Sequence, residues 1–419
     1  MDTANPTGVL RKSTSDYQAE ILLEVEKGVL ASAVHLLETL IEQAYTAHAS
    51  DIHINPTQFG LVIRLRIDGV LQLAHTFPLT VHAEVISRLK ILCGLRTDEH
   101  ATAQDGRLRH ECRNGERIDI RVSIMPLYYG ENAVLRLLVG GQESFSLSTL
   151  GFTPANQAMI LTAMKKPYGM ILATGPTGSG KSTTLYTILS LQDATQTSIV
   201  TLEDPIEYAI NGVNQIQVNP RTGLTFAHGL RSILRQDPNT IMVGEIRDGE
   251  TAGLAVNISL TGHVVVSTLH TNDAATTLPR LLDMKIEPYL IASTVNIAIG
   301  QRLVRRLCRH CKQEKILSEG ETNEVQQFIP ENILPKASKV GMPVGCNACN
   351  FSGYSGRVGI HEVLVVTPTI RESVIARASA SKLRATAIAE GMVPMIADGL
   401  LKAFDGVTSI EEVLKIHYE

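Results

Sequence analysis

The sequence predicts an α/β protein of at least two domains, and three observations carry that expectation. The chain has 419 residues, more than one hydrophobic core usually supports. From about Gly151 onward, the apolar runs GMILAT, SIVTL, TIMVGE and HVVVSTLH alternate with helical stretches such as TAGLAVNISL. That alternation is the mark of a mostly parallel sheet covered by helices. Ahead of it, short strands with a two-residue period follow an amphipathic helix, so a smaller mixed domain is expected there.

Residues 1–32 show no clear period and read as a tail or docking arm. Val34, Leu37, Ile41 and Ala44 then recur at helical spacing. In LVIRLRIDG, Leu61, Ile63, Leu65 and Ile67 alternate with Val62, Arg64, Arg66 and Asp68, and Asp68-Gly69 closes the strand with a turn. The alternation returns in ERIDIRVS and around Arg136 in AVLRLL, which places arginine along one strand face. Two readings of that face stand: a solvated surface, or cations aimed at phosphate, whose oxygens guanidinium matches in pairs. A short polar segment at 141–150 reads as a linker, and the second domain follows it to residue 419.

The second domain carries the chemistry. GMILATGPTGSGKSTTLYTIL reads as a strand, a glycine-rich turn and a helix, the context that makes GxxxxGK[ST] a phosphate loop. Its residues Gly175, Pro176, Thr177, Gly178, Ser179, Gly180, Lys181, Ser182 and Thr183 are the expected ATP-binding set. Glycine lets backbone N–H groups curl around phosphate oxygens, and the start of the helix turns its positive end toward them. Lys181 is expected at the β- and γ-phosphates and Ser182 on Mg²⁺. TIMVGEIRD ends in Glu245, placed to orient the attacking water and take its proton. SIVTLEDPIEY ends in Glu203-Asp204, which suits either Mg²⁺ and its waters or a turn before Pro205. His263 and His270 bracket the apolar run HVVVSTL, and both are expected at the phosphate edge of the sheet, as γ-phosphate sensors or as structural hydrogen-bonders.

Of six cysteines, Cys308, Cys311, Cys346 and Cys349 form two CxxC pairs separated by 34 residues. Each pair can chelate with its sulfurs, so a closed structural Zn²⁺ site is expected, with a helical insertion in the long spacer. His310 is expected beside the ligands or at the surface, and Cys93 and Cys112 as core or surface thiols.

Composition limits the partners. A net charge of −4 lacks the basic excess of a protein that tracks a phosphate backbone, so nucleic acid is not expected. No apolar run reaches the length of a membrane span, and the first residues lack a secretory core, which places the chain in the cytoplasm.

The motifs GPTGSGKST, TLEDPIEY, IMVGEIRD and TGHVVVSTLHTNDA, in this order, resemble the secretion and assembly ATPases of type II secretion systems and type IV pili. SDIHI, RIDGVL, QDGRL, IDIRVS and VLRLL are similar to that family's N-terminal domain, and QRLVRRLC and DGLLKAFDGVTSIEEVL to its C-terminal end. The resemblance spans residues 33–418. It implies a PAS-like α+β domain over 33–140, a RecA-like ATPase core over 151–419, and a four-cysteine zinc module near 306–360. It further implies a homo-hexamer that works beneath the inner membrane, bound there through platform proteins, using ATP and Mg²⁺ to drive pseudopilus or pilus assembly. NISLTGHVVVSTLH and QRLVRRLC look nearer the type II secretion members, pilus extension being the alternative; retraction motors lack the four-cysteine insertion. Carried over by position, Arg107, Arg121, Arg231 and Arg235 are its phosphate-contacting arginines. The Walker B strand ends in Gly-Glu, which leaves the Mg²⁺ ligand beyond Ser182 open between Glu203, Glu245 and water. The stretch before residue 33 is shorter than the docking domain that secretion members carry.

Overall fold

The computed structural model describes residues 13–27, 32–138, 145–330, 333 and 339–418. Its contacts divide the chain into two compact units, Met1–Gln142 and Glu143–Glu419. The first twelve residues of the expected tail and residues 141–144 of the expected linker lie outside the described residues.

The first unit opens with a helix where no period was legible. Helix α1 (Thr14–Glu26) starts at Ser13, whose hydroxyl accepts from Asp16 N while the Asp16 carboxylate accepts from Ser13 N. It packs on α2 (Ala33–Thr46) and buries Tyr17, Ile21 and Glu24. The tail assignment is therefore corrected for residues 14–26. The buried i, i+4, i+7 stripe holds only one aliphatic residue, too thin a pattern to read as an apolar face.

Strands β1 (Ala49–Thr57), β2 (Gly60–Ile67) and β3 (Val70–Phe77) precede α3 (His82–Leu92). Strands β4 (Gln104–Glu111), β5 (Arg117–Leu127) and β6 (Gly130–Leu138) follow it. They form one antiparallel sheet in the order β3-β2-β1-β6-β5-β4. Asp68 and Gly69 both take positive φ (49° and 86°), as the tight turn between β2 and β3 requires. Ile63, Leu65, Ile118, Ile120 and Val122 fill the core, as their alternation implies. On the other face the register sets Arg107 opposite Arg121, Arg121 opposite Arg136, Arg136 opposite Asp51, and Asp51 opposite Arg66. Asp51 pairs with Arg66 (3.3 Å) and Arg136 (3.1 Å).

The second unit runs α4 (Pro154–Met164), β7 (Gly169–Thr174), α5 (Lys181–Ser190), β8 (Ile199–Glu203), β9 (Asn214–Gln217) and α6 (Phe226–Ile233). It continues through β10 (Thr240–Val243), α7 (Gly249–Leu260), β11 (Val264–Leu269), α8 (Ala274–Asp283), β12 (Val295–Leu307), β13 (Gln313–Ile316), β14 (Lys339–Met342) and β15 (Tyr354–Val365). Seven strands make one sheet in the order β15-β12-β7-β11-β10-β8-β9, parallel except for β15. Successive residues of β7 point to opposite cores: Met170 and Leu172 join the α7 side with Ala252 and Val256, Ile171 and Ala173 the α5 side with Leu185 and Ile188. A strand covered on both faces has no solvent face to mark with polar residues, which is why GMILAT is apolar throughout. The parallel strands therefore share one C-terminal edge, where β7, β8, β10 and β11 deliver their loops.

Candidate functional site

The glycine loop leaves β7 at that edge and enters α5. Gly175, Gly178 and Gly180 take φ of 145°, 80° and 85°, a region that L side chains rarely adopt. A Cβ on Gly175 would also lie 2.4 Å from the Gln301 carbonyl oxygen. The α5 N-cap is Gly180, which offers no side chain to the first-turn N–H groups and leaves them for an anion. Pro176, Thr177, Gly178 and Ser182 are exposed around this end, Thr183 is half-buried and Ser179 is buried.

Lys181 is 9% exposed and folds back on the loop, its Nζ donating to the carbonyls of Gly175 (2.8 Å) and Pro176 (2.9 Å). Burial holds its pKa below the usual lysine range, with Arg302 acting in the same sense and Glu245 against it. An arriving phosphate would supply the negative charge that two neutral carbonyls cannot. Gln301 braces the loop from β12: Nε2 donates to the Ser179 carbonyl (2.5 Å) and Oε1 accepts from Thr184 (2.8 Å). Sequence reading missed Gln301. Its sequence signal was a polar residue closing the mostly apolar run NIAIG, while its burial is a property of the fold.

Glu245 follows β10, which one strand, β11, separates from β7. Its carboxylate accepts from Arg247 Nη2 (2.5 Å) and from His270 Nε2 (3.1 Å), and His270 comes from the end of β11. Burial would raise the Glu245 pKa, but the Arg247 and His270 hydrogen bonds and charges outweigh it and the group lies below the ordinary carboxylate range. It is thus ionised at neutral pH and can accept a proton. The structure brings together the predicted Glu245 and His270 and adds Arg247, two residues along the same motif.

Two expectations are corrected here. His263 precedes β11, so it sits at the opposite edge of the sheet, with its Nδ1 against the Ile258 carbonyl (3.1 Å) and its own carbonyl receiving Gly169 N (3.1 Å) at the start of β7. A six-residue strand is about 20 Å long, so one strand cannot present both end residues at one edge. Glu203 is 3% exposed, and its oxygens accept from Tyr186 Oη, from Thr201 Oγ1 (2.6 Å) and from Gln215 Nε2 (3.1 Å). Such a carboxylate is closed to direct Mg²⁺ ligation. Tyr186 lies one turn beyond Ser182 on α5, so Glu203 instead anchors the phosphate-loop helix to β8.

The predicted arginines fall in two places. Arg231 on α6 pairs with Glu250 of α7 (2.7 Å), and Arg235 donates to the Arg231 carbonyl (3.0 Å) and to Ser232 Oγ (3.2 Å). Within one chain, those contacts belong to the α6–α7 surface rather than to the glycine loop. Arg107 and Arg121 belong to the first unit, side by side on β4 and β5.

The four predicted cysteines converge. The sulfurs of Cys308 and Cys346 lie 3.9 Å apart, those of Cys311 and Cys349 3.8 Å, and those of Cys346 and Cys349 3.8 Å. Four thiolates at about 2.3 Å from a tetrahedral Zn²⁺ are separated by about 3.8 Å, so the spacing fits the ion. Gly345 N and Gly353 N each donate to a sulfur at 3.3 Å, as backbone groups around a thiolate-bound metal do. The spacer holds the expected helix, Glu319–Gln326, together with β13 and β14, which pair with each other. His310 is exposed. No helix among the described residues is long and apolar enough to cross a membrane.

Compared with known proteins, the sequence matches the type II/IV secretion system protein family over residues 26–415. It is 43% identical over 389 residues to the type IV pilus assembly ATPase PilB of Acinetobacter baylyi, covering 93% of this chain and 67% of that protein. It is also 43% identical over 404 residues to type II secretion system protein E of Aeromonas hydrophila, covering 96% and 78%. Among solved structures, the pilus retraction motor PilT with bound ADP superposes with a TM-score of 0.61 at 25% identity, over 90% of this chain and 96% of that one.

Proposed function

The chain belongs to the type II/IV secretion system protein family, and we propose that it is the cytoplasmic, hexameric ATPase that drives pseudopilus assembly in type II secretion. One observation carries the chemistry: an ionised Glu245, clamped by Arg247 and His270, stands on the same sheet edge as a glycine loop folded around Lys181. In this reading the loop N–H groups and Lys181 bind the β- and γ-phosphates of ATP, and Glu245 orients water in line with the γ-phosphate and accepts its proton. Ser182 would hold Mg²⁺ on the protein side, and the ion would supply positive charge to offset that of the phosphates. Strand order supports a RecA-like core, since β11 lies between the phosphate-loop strand and the acidic strand. Zn²⁺ on Cys308, Cys311, Cys346 and Cys349 would staple β12 to the hairpin beyond it and take no part in hydrolysis.

The first unit, read as the PAS-like domain, supplies cations to this chemistry. Like charges directly opposite each other destabilise a sheet, and the register sets Arg107 directly opposite Arg121. Arg107 and Arg121 are then the pair that a γ-phosphate would reward, and their arrival would tie bond cleavage to movement of the unit that carries them. Arg231 and Arg235, turned to an outer surface, are read as acting across a boundary between ring neighbours, and platform proteins hold the ring beneath the inner membrane. Pilus extension is the second reading, favoured by the equal identity to a pilus assembly ATPase.

Replacing Arg107 and Arg121 together by alanine tests the coupling. ATP turnover should fall by roughly three powers of ten while nucleotide binding stays within a few-fold. Unchanged turnover would show that hydrolysis needs nothing from the first unit. Replacing the chromosomal gene by the double variant separates the two systems: lost release of secreted proteins favours type II secretion, and lost surface pili favours extension.

A further inference from the structure

Among the described residues, the first unit holds a cluster of side chains with metal-ligating chemistry that shares no residue with the glycine loop or the four cysteines. Glu42, His110 and Cys112 each offer one ligand atom, and the three atoms lie within 4.8 Å of one another. They come from two elements that the fold presses together. His110 and Cys112 are two residues apart along and just beyond β4, so both point to the core face with Leu108, and Glu42 descends from α2. Glu42 is 3% exposed, a position where an apolar residue would be the ordinary occupant, and Cys112 beside it is equally buried.

We propose that Glu42, His110 and Cys112 form a binding site for a divalent metal of the zinc class. One carboxylate oxygen, one imidazole nitrogen and one thiolate are the donor types that zinc takes, and the two anionic ligands balance its charge. The edge between Glu42 Oε1 and His110 Nε2 is 3.3 Å, the separation expected for oxygen and nitrogen each about 2.0–2.1 Å from a tetrahedral ion. The supporting shell is in place. Arg113 N donates to Glu42 Oε1 (2.7 Å), Tyr17 Oη donates to Oε2 (3.3 Å), and the turn carrying Cys112 is closed by Cys112 N on the Glu116 carbonyl (2.7 Å). Glu42 and His110 also line a cleft of about 350 Å³, which leaves the fourth position to water. Three protein ligands and one open position contrast with the closed sulfur site of the second unit. Because Tyr17 belongs to α1, metal bound here would also fasten α1 to the body of the unit.

The test is metal content by elemental analysis of the full chain, purified with zinc and dialysed against metal-free buffer. About two zinc ions per chain are expected for the unaltered protein and about one for Cys112→Ser and for His110→Ala, with circular dichroism unchanged. Cys308→Ser/Cys346→Ser should also hold about one, and on loading with cobalt should show a thiolate-to-cobalt absorption band in the near ultraviolet that the further change Cys112→Ser removes. A cobalt-loaded Cys308→Ser/Cys346→Ser protein without that band, or Cys112→Ser protein that keeps both zinc ions, would overturn the site. Either result would mark the cluster as a plain hydrogen-bond network. Loss of zinc from the four-cysteine site alone leaves this second count intact, so the two assignments fail separately.

Discussion

Glu203 and Glu245 invite comparison, because each follows or ends a parallel strand at the same edge of one sheet and each precedes a turn. Glu203 is surrounded by neutral donors, Tyr186, Thr201 and Gln215, and is closed to solvent. Glu245 is bound by two cationic or protonatable groups, Arg247 and His270, whose own side chains are mostly exposed. The difference is one of partners rather than position. Neutral buried partners lock a carboxylate into architecture, whereas solvent-facing charged partners can be exchanged for a substrate, a metal-bound water or a proton.

The largest effect that could break this comparison is at Glu245 itself. Glu245→Gln keeps the shape and loses the proposed base, so ATP turnover should drop by about two to four powers of ten with nucleotide binding retained, measured by steady-state phosphate release and by equilibrium binding of a fluorescent nucleotide. If Glu203→Gln reduces turnover as deeply at unchanged thermal stability, the roles drawn from their partners are reversed. A smaller effect is expected from Arg247→Ala. Removing that guanidinium deletes a contribution that lowers the Glu245 pKa and leaves burial, which raises it, opposed chiefly by His270. The group must stay ionised to act as a base, so the acid limb of the pH–rate profile should move to higher pH while the rate at pH 8 changes by less than about tenfold. An acid limb that stays put would place the base elsewhere.

Much of this was legible because the chemistry lies in contiguous stretches. A strand, a glycine turn and a helix must be neighbours in sequence to cradle phosphate, so Gly175 to Thr183 are found by spacing alone. The paired cysteines are legible for the same reason, since each short turn supplies two of the four sulfurs that converge. What escaped depends on the third dimension. His263 and His270 look symmetrical in sequence, yet a strand separates them by its whole length. Gln301 reaches the loop only because β12 pairs with β7. Glu203 reads as a free carboxylate in the sequence, and only the fold brings Tyr186, seventeen residues away, against it. Helix α1 was hidden by the opposite problem: its cap was visible, Ser13 and Asp16, but its buried stripe of Tyr17, Ile21 and Glu24 is half polar.

The smallest expected effect concerns the tie between Glu203 and α5. Tyr186→Phe removes one hydroxyl from a buried carboxylate while keeping the ring that packs edge-on against Tyr208 at 4.7 Å between centroids. Thr201 and Gln215 still serve Glu203 Oε1, but Oε2 loses its phenol, which should lower stability by about 1–3 kcal/mol in a denaturant melt. Ser182 lies one turn up the same helix and keeps its backbone, so ATP turnover at a temperature below the melt should change by less than about threefold. A hundredfold loss of turnover with stability intact would mean that Glu203 and its phenol belong to the reacting centre after all, and the contrast between the two carboxylates would disappear.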